Sequence, residues 1–243
     1  MEAGTAALAA AVNVGRRSGR SNVACADPST PSPVRALVMP DDEAAGPFRT
    51  ACIVLAAGAG ARFGEPKAGA LLETGPRFID AVVGTARAAG AEPIVVVVAP
   101  GFDAPAGTVA VVNTNSRGEQ IASLRLGLAR LVSVPVTGTL VWPVDHPYAD
   151  LDSASAILQA AKQTGAAVVV PIFEGRRGHP VYFARDCWRE LATVADGGAR
   201  AVVHAHAADL HEVRVTHIGV VRDIDTRADM TNGEGTIRNA ISR

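Results

Sequence analysis

Several features that define particular protein classes are scarce in this sequence. Three of the 243 residues are cysteine, and Cys25, Cys52 and Cys187 form no C-x-x-C pair. Neither a disulfide framework nor a cysteine zinc site is therefore indicated. No apolar run reaches the roughly 18 residues that a membrane helix needs. The 23 basic and 24 acidic residues leave a net charge of −1, which argues against a broad nucleic-acid surface because that requires a basic excess.

The composition that remains is that of a globular protein. Hydrophobic residues make up 48% and charged residues 19%, whereas a disordered chain is apolar-poor and highly charged. The first residues do not form a secretory signal, because the apolar stretch 6–12 is short, Glu2 precedes it and the arginines follow it. Together with the few cysteines, this predicts a cytoplasmic location with neither a membrane nor a nucleic acid as partner.

The chain divides at about residue 50. Residues 1–49 are rich in Ala, Gly, Ser and Pro, include the cluster ADPSTPSP at 26–33, and show no sustained periodicity. We expect a disordered or poorly ordered N-terminal extension, followed by a single domain over 50–243. Two alternatives stay open: Met39 is the true start, or the arginines and serines of the extension form a short transit-like segment.

Short apolar runs alternate with helical periodicity after residue 50. The predicted strands lie at 52–56, 94–98, 109–112, 140–144, 167–170, 181–183 and 212–215. The predicted helices lie at about 77–90, 119–131, 151–164, 186–193 and 198–206. This alternation predicts one α/β domain of three layers with a mostly parallel sheet, to which the shorter elements after residue 172 add an antiparallel portion. Because ligands bind beyond the carboxyl ends of such strands, we expect the chemistry there.

A glycine-rich segment follows the first predicted strand. Residues 55–67 read LAAGAGARFGEPK, so small residues let a ligand approach the backbone, and Arg62 and Lys67 add positive charge suited to phosphates. A dinucleotide fingerprint does not fit, because Gly64 comes one residue late and Pro66 interrupts the expected helix. The Gly-Lys-Ser/Thr of a P-loop is absent. A tight turn with surface charges is the remaining alternative.

Segment 55–67 is similar at every fixed position to the nucleotidyltransferase signature LAAG-x-G-x-R-x-G-x-x-K. Further matching motifs follow in order: GEQIASLRLGL at 118–128, VWPVDHP at 141–147, GRRGHPVYF at 175–183 and DIDTRAD at 223–229. Over roughly 51–230 the chain resembles the molybdenum-cofactor nucleotidyltransferases, the MobA-like NTP transferases, and is most similar to their cytidylyltransferase branch.

The resemblance implies a Rossmann-like nucleotidyltransferase domain and a Mg²⁺-dependent reaction. An NMP from an NTP is joined to a phosphorylated acceptor, molybdopterin in the family, and pyrophosphate is released. A molybdoenzyme that receives the product is the implied protein partner. Ala57, the Pro66–Lys67 pair and the Gly-His-Pro block favour CTP over GTP, and the methyl group of Ala57 favours a pyrimidine by about 1–2 kcal/mol at most.

The resemblance also assigns roles to individual residues. Arg62, Lys67 and Asp145 are the implied catalytic residues. The implied nucleotide-binding residues are Leu55, Ala56, Ala57, Gly58, Gly60, Arg62, Lys67, Asn113 and Ser123. His179 and Arg176 are implied to bind the acceptor, and Asp145 and Asp225 to hold the metal. Val144 and His146 depart from the Gly and Met of many relatives.

Most of these residues also have a purely structural interpretation. Asp145 is alternatively an N-cap or loop carboxylate, and Asp225 or Thr226 alternatively caps a short helix beginning near residue 227. Ser123 alternatively bonds its own helix backbone, and His179 is alternatively a structural turn histidine. The histidines at 204, 206 and 211 are expected on the surface, because a spacing of two separates the first pair on a helix.

Three other functions compete with the molybdenum-cofactor hypothesis. The first is an enzyme of the same fold acting on a sugar phosphate, a polyol phosphate or a phospholactate-like acid. The second is a non-catalytic nucleotide- or cofactor-binding delivery protein. The third, a nicotinamide dehydrogenase, is disfavoured by the shifted third glycine.

Overall fold

The computed structural model describes residues 47–115 and 120–231. The described strands are β1 (Thr50–Ala56), β2 (Ile94–Val98), β3 (Val109–Val112), β4 (Gly138–Pro143), β5 (Val168–Phe173), β6 (Arg176–Arg177), β7 (Val181–Ala184) and β8 (Leu210–Arg214). They form one eight-stranded sheet in the order β3-β2-β1-β4-β7-β5-β6, in which β8 also pairs with β5.

The core of the sheet is parallel. Strands β3, β2, β1 and β4 run in the same direction, and β8 is parallel to β5. Strand β7 lies antiparallel between β4 and β5, and β6 is antiparallel to β5. The prediction of a mostly parallel sheet with an antiparallel portion after residue 172 is therefore confirmed.

Helices cover both faces of this sheet. They are α1 (Phe78–Ala88), α2 (Gln120–Leu131), α3 (Leu151–Thr164), α4 (Trp188–Thr193) and α5 (Gly198–Ala205). Cys52 and Val54 of β1 pack with α1 and α3, while the alternate residues Ile53 and Leu55 pack with α2, α4 and α5. Strand β1 is buried on both faces, as its unbroken apolar sequence predicts, and the three layers form a single α/β domain.

Local sequence explains how α3 begins and ends. The carboxylate of Asp150 accepts a hydrogen bond from the amide of Ser153 at 3.1 Å and so caps the helix N-terminus. Gly165 follows the last turn with φ of 63°, a left-handed conformation that glycine adopts readily. The Asp150 cap thus sets where α3 begins after the loop at 144–149.

Some predictions fall on residues without a description. The proposed N-terminal extension over 1–49 lies outside the described residues except for its last three positions, and so does Met39. Residues 116–119 are also outside the described residues, so the predicted helix at 119–131 is described from Gln120 onward. Within the described ranges, no helix is long and apolar enough to cross a bilayer.

Candidate active site

The carboxyl ends of β1, β3 and β4 open into a cleft of about 310 Å³, which we call the first cleft. Its lining residues are Leu55, Ala57, Gly58, Gly60, Ala61, Arg62, Lys67, Asn113, Gln120, Ser123, Val144, Asp145 and Asp225. Three of the predicted strand-end segments therefore meet in one place, together with the DIDTRAD segment. Ala56, the remaining predicted nucleotide-binding residue, is the buried last residue of β1.

The glycine-rich loop folds as a tight turn around Gly60. The carbonyl of Gly60 accepts hydrogen bonds from the amides of Phe63 and Gly64, each at 2.9 Å. Gly60 has φ of +61°, and a Cβ added there would lie 1.9 Å from the carbonyl oxygen of Glu65. The turn thus requires glycine at this position, and it carries Arg62 and Lys67 to the cleft wall.

Lys67 lies between two carboxylates. Its Nζ is 2.6 Å from Oδ1 of Asp225 and 3.4 Å from Oδ2 of Asp145, and its side chain is 14% exposed. Arg62, which is 77% exposed, places Nη1 at 2.9 Å from the other oxygen of Asp225. The structure thus brings together all three predicted catalytic residues and both predicted metal ligands.

Asp145 is held in a fixed, ionised form. Burial opposes ionisation, but a hydrogen bond with His146 and the charges of His146 and Lys67 outweigh burial and lower the pKa of Asp145 to about 2. Its Oδ1 lies 3.1 Å from Nδ1 of His146, and its backbone carbonyl accepts a hydrogen bond from the amide of Ile224 at 2.8 Å. This last bond joins the end of β4 to the segment that carries Asp225.

The structure resolves which acid caps the helical turn at 227–231. Asp229 accepts hydrogen bonds from the hydroxyl of Thr226 at 2.8 Å and from its amide at 2.7 Å, and these bonds hold the pKa of Asp229 below its usual range. The carboxylate of Asp229 thus reaches back to the residue before the helical turn, as the acidic residue of a capping box does, while its own amide donates to the backbone carbonyl of Thr226 at 3.1 Å. Asp225 is not the cap, and its carboxylate faces Lys67 and Arg62 instead.

Asn113 and Ser123 form a buried pair at the far side of the first cleft. Nδ2 of Asn113 donates a hydrogen bond to Oγ of Ser123 at 2.9 Å, and Oδ1 of Asn113 accepts from the amide of Asn115 at 2.9 Å. Asn113 comes directly after β3, and Ser123 lies on the first turn of α2. The Ser123 hydroxyl accepts this bond with one lone pair, and the pair ties β3 to α2.

A larger cleft of about 660 Å³, which we call the second cleft, adjoins the first. Both clefts are lined by Leu55 and Gln120. Branched aliphatic side chains from the sheet and α2 form much of the second cleft, and its charged or titratable lining residues are Arg177, His179, Arg200 and His204. Two arginines beside an apolar floor fit an anionic ligand with an apolar body.

The two predicted acceptor-binding residues have different positions. His179 lines the second cleft, whereas Arg176 is not among its lining residues and donates to the carbonyl of Val221 at 3.4 Å. Arg177, the next residue on β6, lines the cleft and also forms an ion pair with Glu212 at 2.8 Å.

His179 is a neutral histidine in this site. Burial, reinforced by the neighbouring charge of His146, lowers the pKa of His179 to about 3. The two imidazole rings meet edge to face with centroids 4.7 Å apart, which links the His-Pro block to the residue after Asp145. Nδ1 of His179 is buried and has no hydrogen-bond partner among the described residues.

Other polar groups lie away from both clefts. Arg125 donates to the carbonyls of Leu191 and Val194 and so ties α2 to the end of α4. His206 is partly exposed, and its ring lies 3.0 Å from the carboxylate of Glu190. Cys52 and Cys187 are free and buried, and burial raises the pKa of both thiols.

Two carboxylates are available for a metal at the first cleft. Within residues 47–115 and 120–231, no group of three or more His, Cys, Asp or Glu side chains is arranged to hold a metal ion. Asp145 and Asp225 both contact the ammonium of Lys67, so a cation already occupies the space between them. Such a pair fits Mg²⁺, which commonly binds through one or two carboxylates together with phosphate oxygens and waters.

Sequence reasoning missed several lining residues. Gln120 lines both clefts, and Arg200 and His204 of α5 line the second one. Gln120 stands at the start of a helix that follows a strand end, a position where ligands often bind. For Arg200 and His204 the sequence offers no local signal, because only the packing of α5 against α2 and α4 brings them to the cleft.

The fold and the first cleft define an α/β domain with a basic glycine-rich loop and two acidic residues at the carboxyl edge of its sheet. Comparison with known proteins gives the family. Residues 52–211 match the model of the MobA-like NTP transferase domain, and the chain belongs to this family of nucleotidyltransferases. No curated protein matches the chain.

Solved structures have the same fold. Rv0371c from Mycobacterium tuberculosis H37Rv is 26% identical, with a TM-score of 0.66 over 76% of this chain and 96% of that one. Its manganese complex, also 26% identical, has a TM-score of 0.62 over 76% of this chain and 97% of that one. The 2-C-methyl-D-erythritol 4-phosphate cytidylyltransferase of Thermus thermophilus is 20% identical, with a TM-score of 0.60 over 79% and 100%. Molybdopterin-guanine dinucleotide biosynthesis protein A of Archaeoglobus fulgidus is 15% identical, with a TM-score of 0.52 over 78% of this chain and 99% of that one. At 20% and 15% identity, these last two share the fold alone.

Proposed function

We propose that this protein transfers the CMP group of CTP to a molybdopterin-type acceptor and releases pyrophosphate, with Mg²⁺ at the first cleft. The observation that carries the proposal is the position of Lys67. Its ammonium contacts Asp145 and Asp225 in the wall of a cleft that also contains the glycine loop and Arg62. Cations, acidic metal ligands and a small-residue turn are what an NTP requires of its binding site.

The reaction needs charge neutralisation more than proton transfer. An acceptor phosphate oxygen attacks the α-phosphorus of the NTP in line, and the bond from this phosphorus to the pyrophosphate oxygen breaks. Both reactants are anions, so Arg62 and Lys67 reduce their repulsion and stabilise the charge that develops on the leaving pyrophosphate. These two side chains would exchange their contacts with Asp225 for contacts with the phosphates.

Asp145 and Asp225 would hold the metal in this proposal. Asp145 is ionised at any physiological pH, because its pKa is about 2. A bound Mg²⁺ would supply positive charge between the phosphate oxygens of the nucleotide. The manganese complex of Rv0371c supports a divalent-metal site in a protein of this fold.

The choice of both substrates rests on the lining of the clefts. The buried methyl group of Ala57 lies in the first cleft and reduces the room for a base, which favours cytosine over guanine. The second cleft, with basic residues and about 660 Å³, would take the phosphorylated pterin, with His179 in its wall. The solved structures with this fold include a cytidylyltransferase and a molybdopterin-guanine protein, so the base is the finer part of the proposal.

Pyrophosphate release tests this function directly. We expect turnover with CTP, Mg²⁺ and molybdopterin, and little with GTP or with sugar, polyol or phospholactate-type acceptors. Replacing Lys67 or Asp145 by alanine should lower turnover by about 10²–10³-fold, the usual effect of removing a group that stabilises transition-state charge. Lys162→Ala is the matched control, because Lys162 is an exposed residue of α3 outside both clefts.

Each other outcome identifies a competing function. Wild-type turnover in Lys67→Ala and Asp145→Ala would refute the assigned roles. Turnover with another phosphorylated acceptor would show that the protein is a nucleotidyltransferase of the same fold for that acceptor. A thermal shift with Mg²⁺ and CTP, without turnover for any acceptor, would favour a delivery protein, because ligand binding alone stabilises the native state. A shift selective for GTP would reverse the choice of base.

A further inference from the structure

A second set of contacts joins the glycine loop to the segment 225–231, outside the first cleft. Nη2 of Arg227 lies 2.7 Å from Oε1 of Glu65, and the two residues are 162 positions apart in the chain. The guanidinium of Arg227 also lies over the ring of Phe63, 5.3 Å from its centroid. Phe63 itself is buried and packs edge to face against Phe78 of α1. Arg227 thus contacts the glycine loop twice, through the ion pair with Glu65 and through the ring of Phe63.

This contact differs in function from the other ion pair between the same two segments. Arg62 also binds Asp225, but both of these residues line the first cleft and would exchange partners when a nucleotide and metal enter. Glu65 and Arg227 do not line that cleft. A ligand in the first cleft would therefore have no need to displace this contact, as it would the Arg62–Asp225 contact.

We propose that Glu65 and Arg227 are positioning residues that fix the distance between the glycine loop and Asp225. The expected kinetic effect rests on the proposed function, whereas the contact between Glu65 and Arg227 is seen in the structure itself. Glu65 lies two residues before Lys67, and Arg227 lies two residues after Asp225. A link between Glu65 and Arg227 sets how far the phosphate-binding cations stand from the acidic metal ligand.

Loss of this link has a defined kinetic signature. An untethered loop must be ordered each time a nucleotide binds, so the cost appears in binding more than in the chemical step. We expect Arg227→Ala to raise the KM for CTP about five- to tenfold, with kcat within about twofold, which is the size expected for losing one exposed ion pair and one cation–π contact. Arg227 is 68% exposed, so its truncation leaves the fold intact.

The chain provides a matched control. Arg77 forms an ion pair with Asp80 at 2.7 Å and lies over Phe102 at 5.9 Å from the ring centroid, so Arg77→Ala removes the same two kinds of contact away from the glycine loop. Arg77→Ala should leave the KM for CTP unchanged. Glu65→Gln should raise KM by less than Arg227→Ala, and the double variant should be no worse than Arg227→Ala alone, because both changes remove the same ion pair.

Amide hydrogen exchange gives a test that does not need activity. Peptides covering 58–66 should exchange faster in Arg227→Ala than in the wild type and in Arg77→Ala. The inference is overturned if Arg227→Ala matches Arg77→Ala in both loop exchange and KM, or if the effects of Glu65→Gln and Arg227→Ala simply add. A wild-type protein without turnover refutes the proposed function instead, and the exchange comparison then still decides the positioning role.

Discussion

Three glycines of the signature loop differ in what an alanine would meet, and this gives a graded test of the loop geometry. Gly60 has φ of +61° and an added Cβ would lie 1.9 Å from a backbone oxygen. Gly64 has φ of +91° but open space around the added atom. Gly58 has an ordinary backbone conformation and equally open space. Alanine at Gly60 therefore introduces both a clash and backbone strain, alanine at Gly64 introduces backbone strain alone, and alanine at Gly58 introduces neither.

The expected costs follow from these differences. Gly58→Ala should change the free energy of unfolding by less than about 0.5 kcal/mol, as most unconstrained substitutions do. Gly64→Ala should lower it by about 1–2 kcal/mol, the penalty for a left-handed alanine. Gly60→Ala should lower it by about 2–4 kcal/mol, because the clash is with the backbone of Glu65 and no side-chain rotation relieves it.

Urea denaturation of the three variants measures these costs. A thermal-shift titration with Mg²⁺ and CTP shows whether the loop still binds. We expect Gly60→Ala to lose most of the nucleotide-induced shift, since its turn no longer delivers Arg62 and Lys67 to the first cleft. If Gly60→Ala and Gly64→Ala were equally stable and bound the nucleotide equally well, the described turn would be incorrect.

Two further predictions concern stability. His179 has a pKa of about 3 in the folded protein and about 6.5 when unfolded, so the unfolded chain binds the extra proton and stability falls as the pH drops below 6.5. By pH 5 the loss is about 2 kcal/mol, and urea titrations at pH 8 and 5 should show it in the wild type and in His204→Gln but not in His179→Gln. Asp150→Ala removes the cap of α3 and should lower the free energy of unfolding by about 1 kcal/mol in the same assay at pH 8, and an unchanged midpoint would show that the cap contributes nothing.

The sequence predicted the parallel core well because each strand there carries its own signal. The run IVVVV at 94–98 is β-branched throughout and forms β2 over the same residues. The position of β8 was harder to predict. None of its residues is fully buried, and the strand runs from Leu210 to Arg214 instead of the predicted 212–215. Its parallel pairing with β5 depends on contacts far apart in the chain, which no local pattern contains.

The candidate site shows the same division. The strand-end rule brought the glycine loop, Asn113 and Asp145 to one edge of the sheet. The sequence left open whether Asp225 binds a metal or caps the helix beginning near residue 227, because the choice depends on where the helical turn starts and which carboxylate reaches back to Thr226. Nor did it predict that Arg177 instead of Arg176 would line the second cleft, because successive strand residues point to opposite sides and a strand of two residues has too little pattern to fix its phase.

The common wall formed by Leu55 and Gln120 has a thermodynamic consequence. Both residues line both clefts, so a ligand that shifts either side chain would change the wall that the other ligand meets. Whatever factor the nucleotide applies to the affinity for the acceptor, the acceptor must apply to the affinity for the nucleotide. A substitution at Leu55 or Gln120 would therefore alter this mutual dependence as well as the two separate affinities.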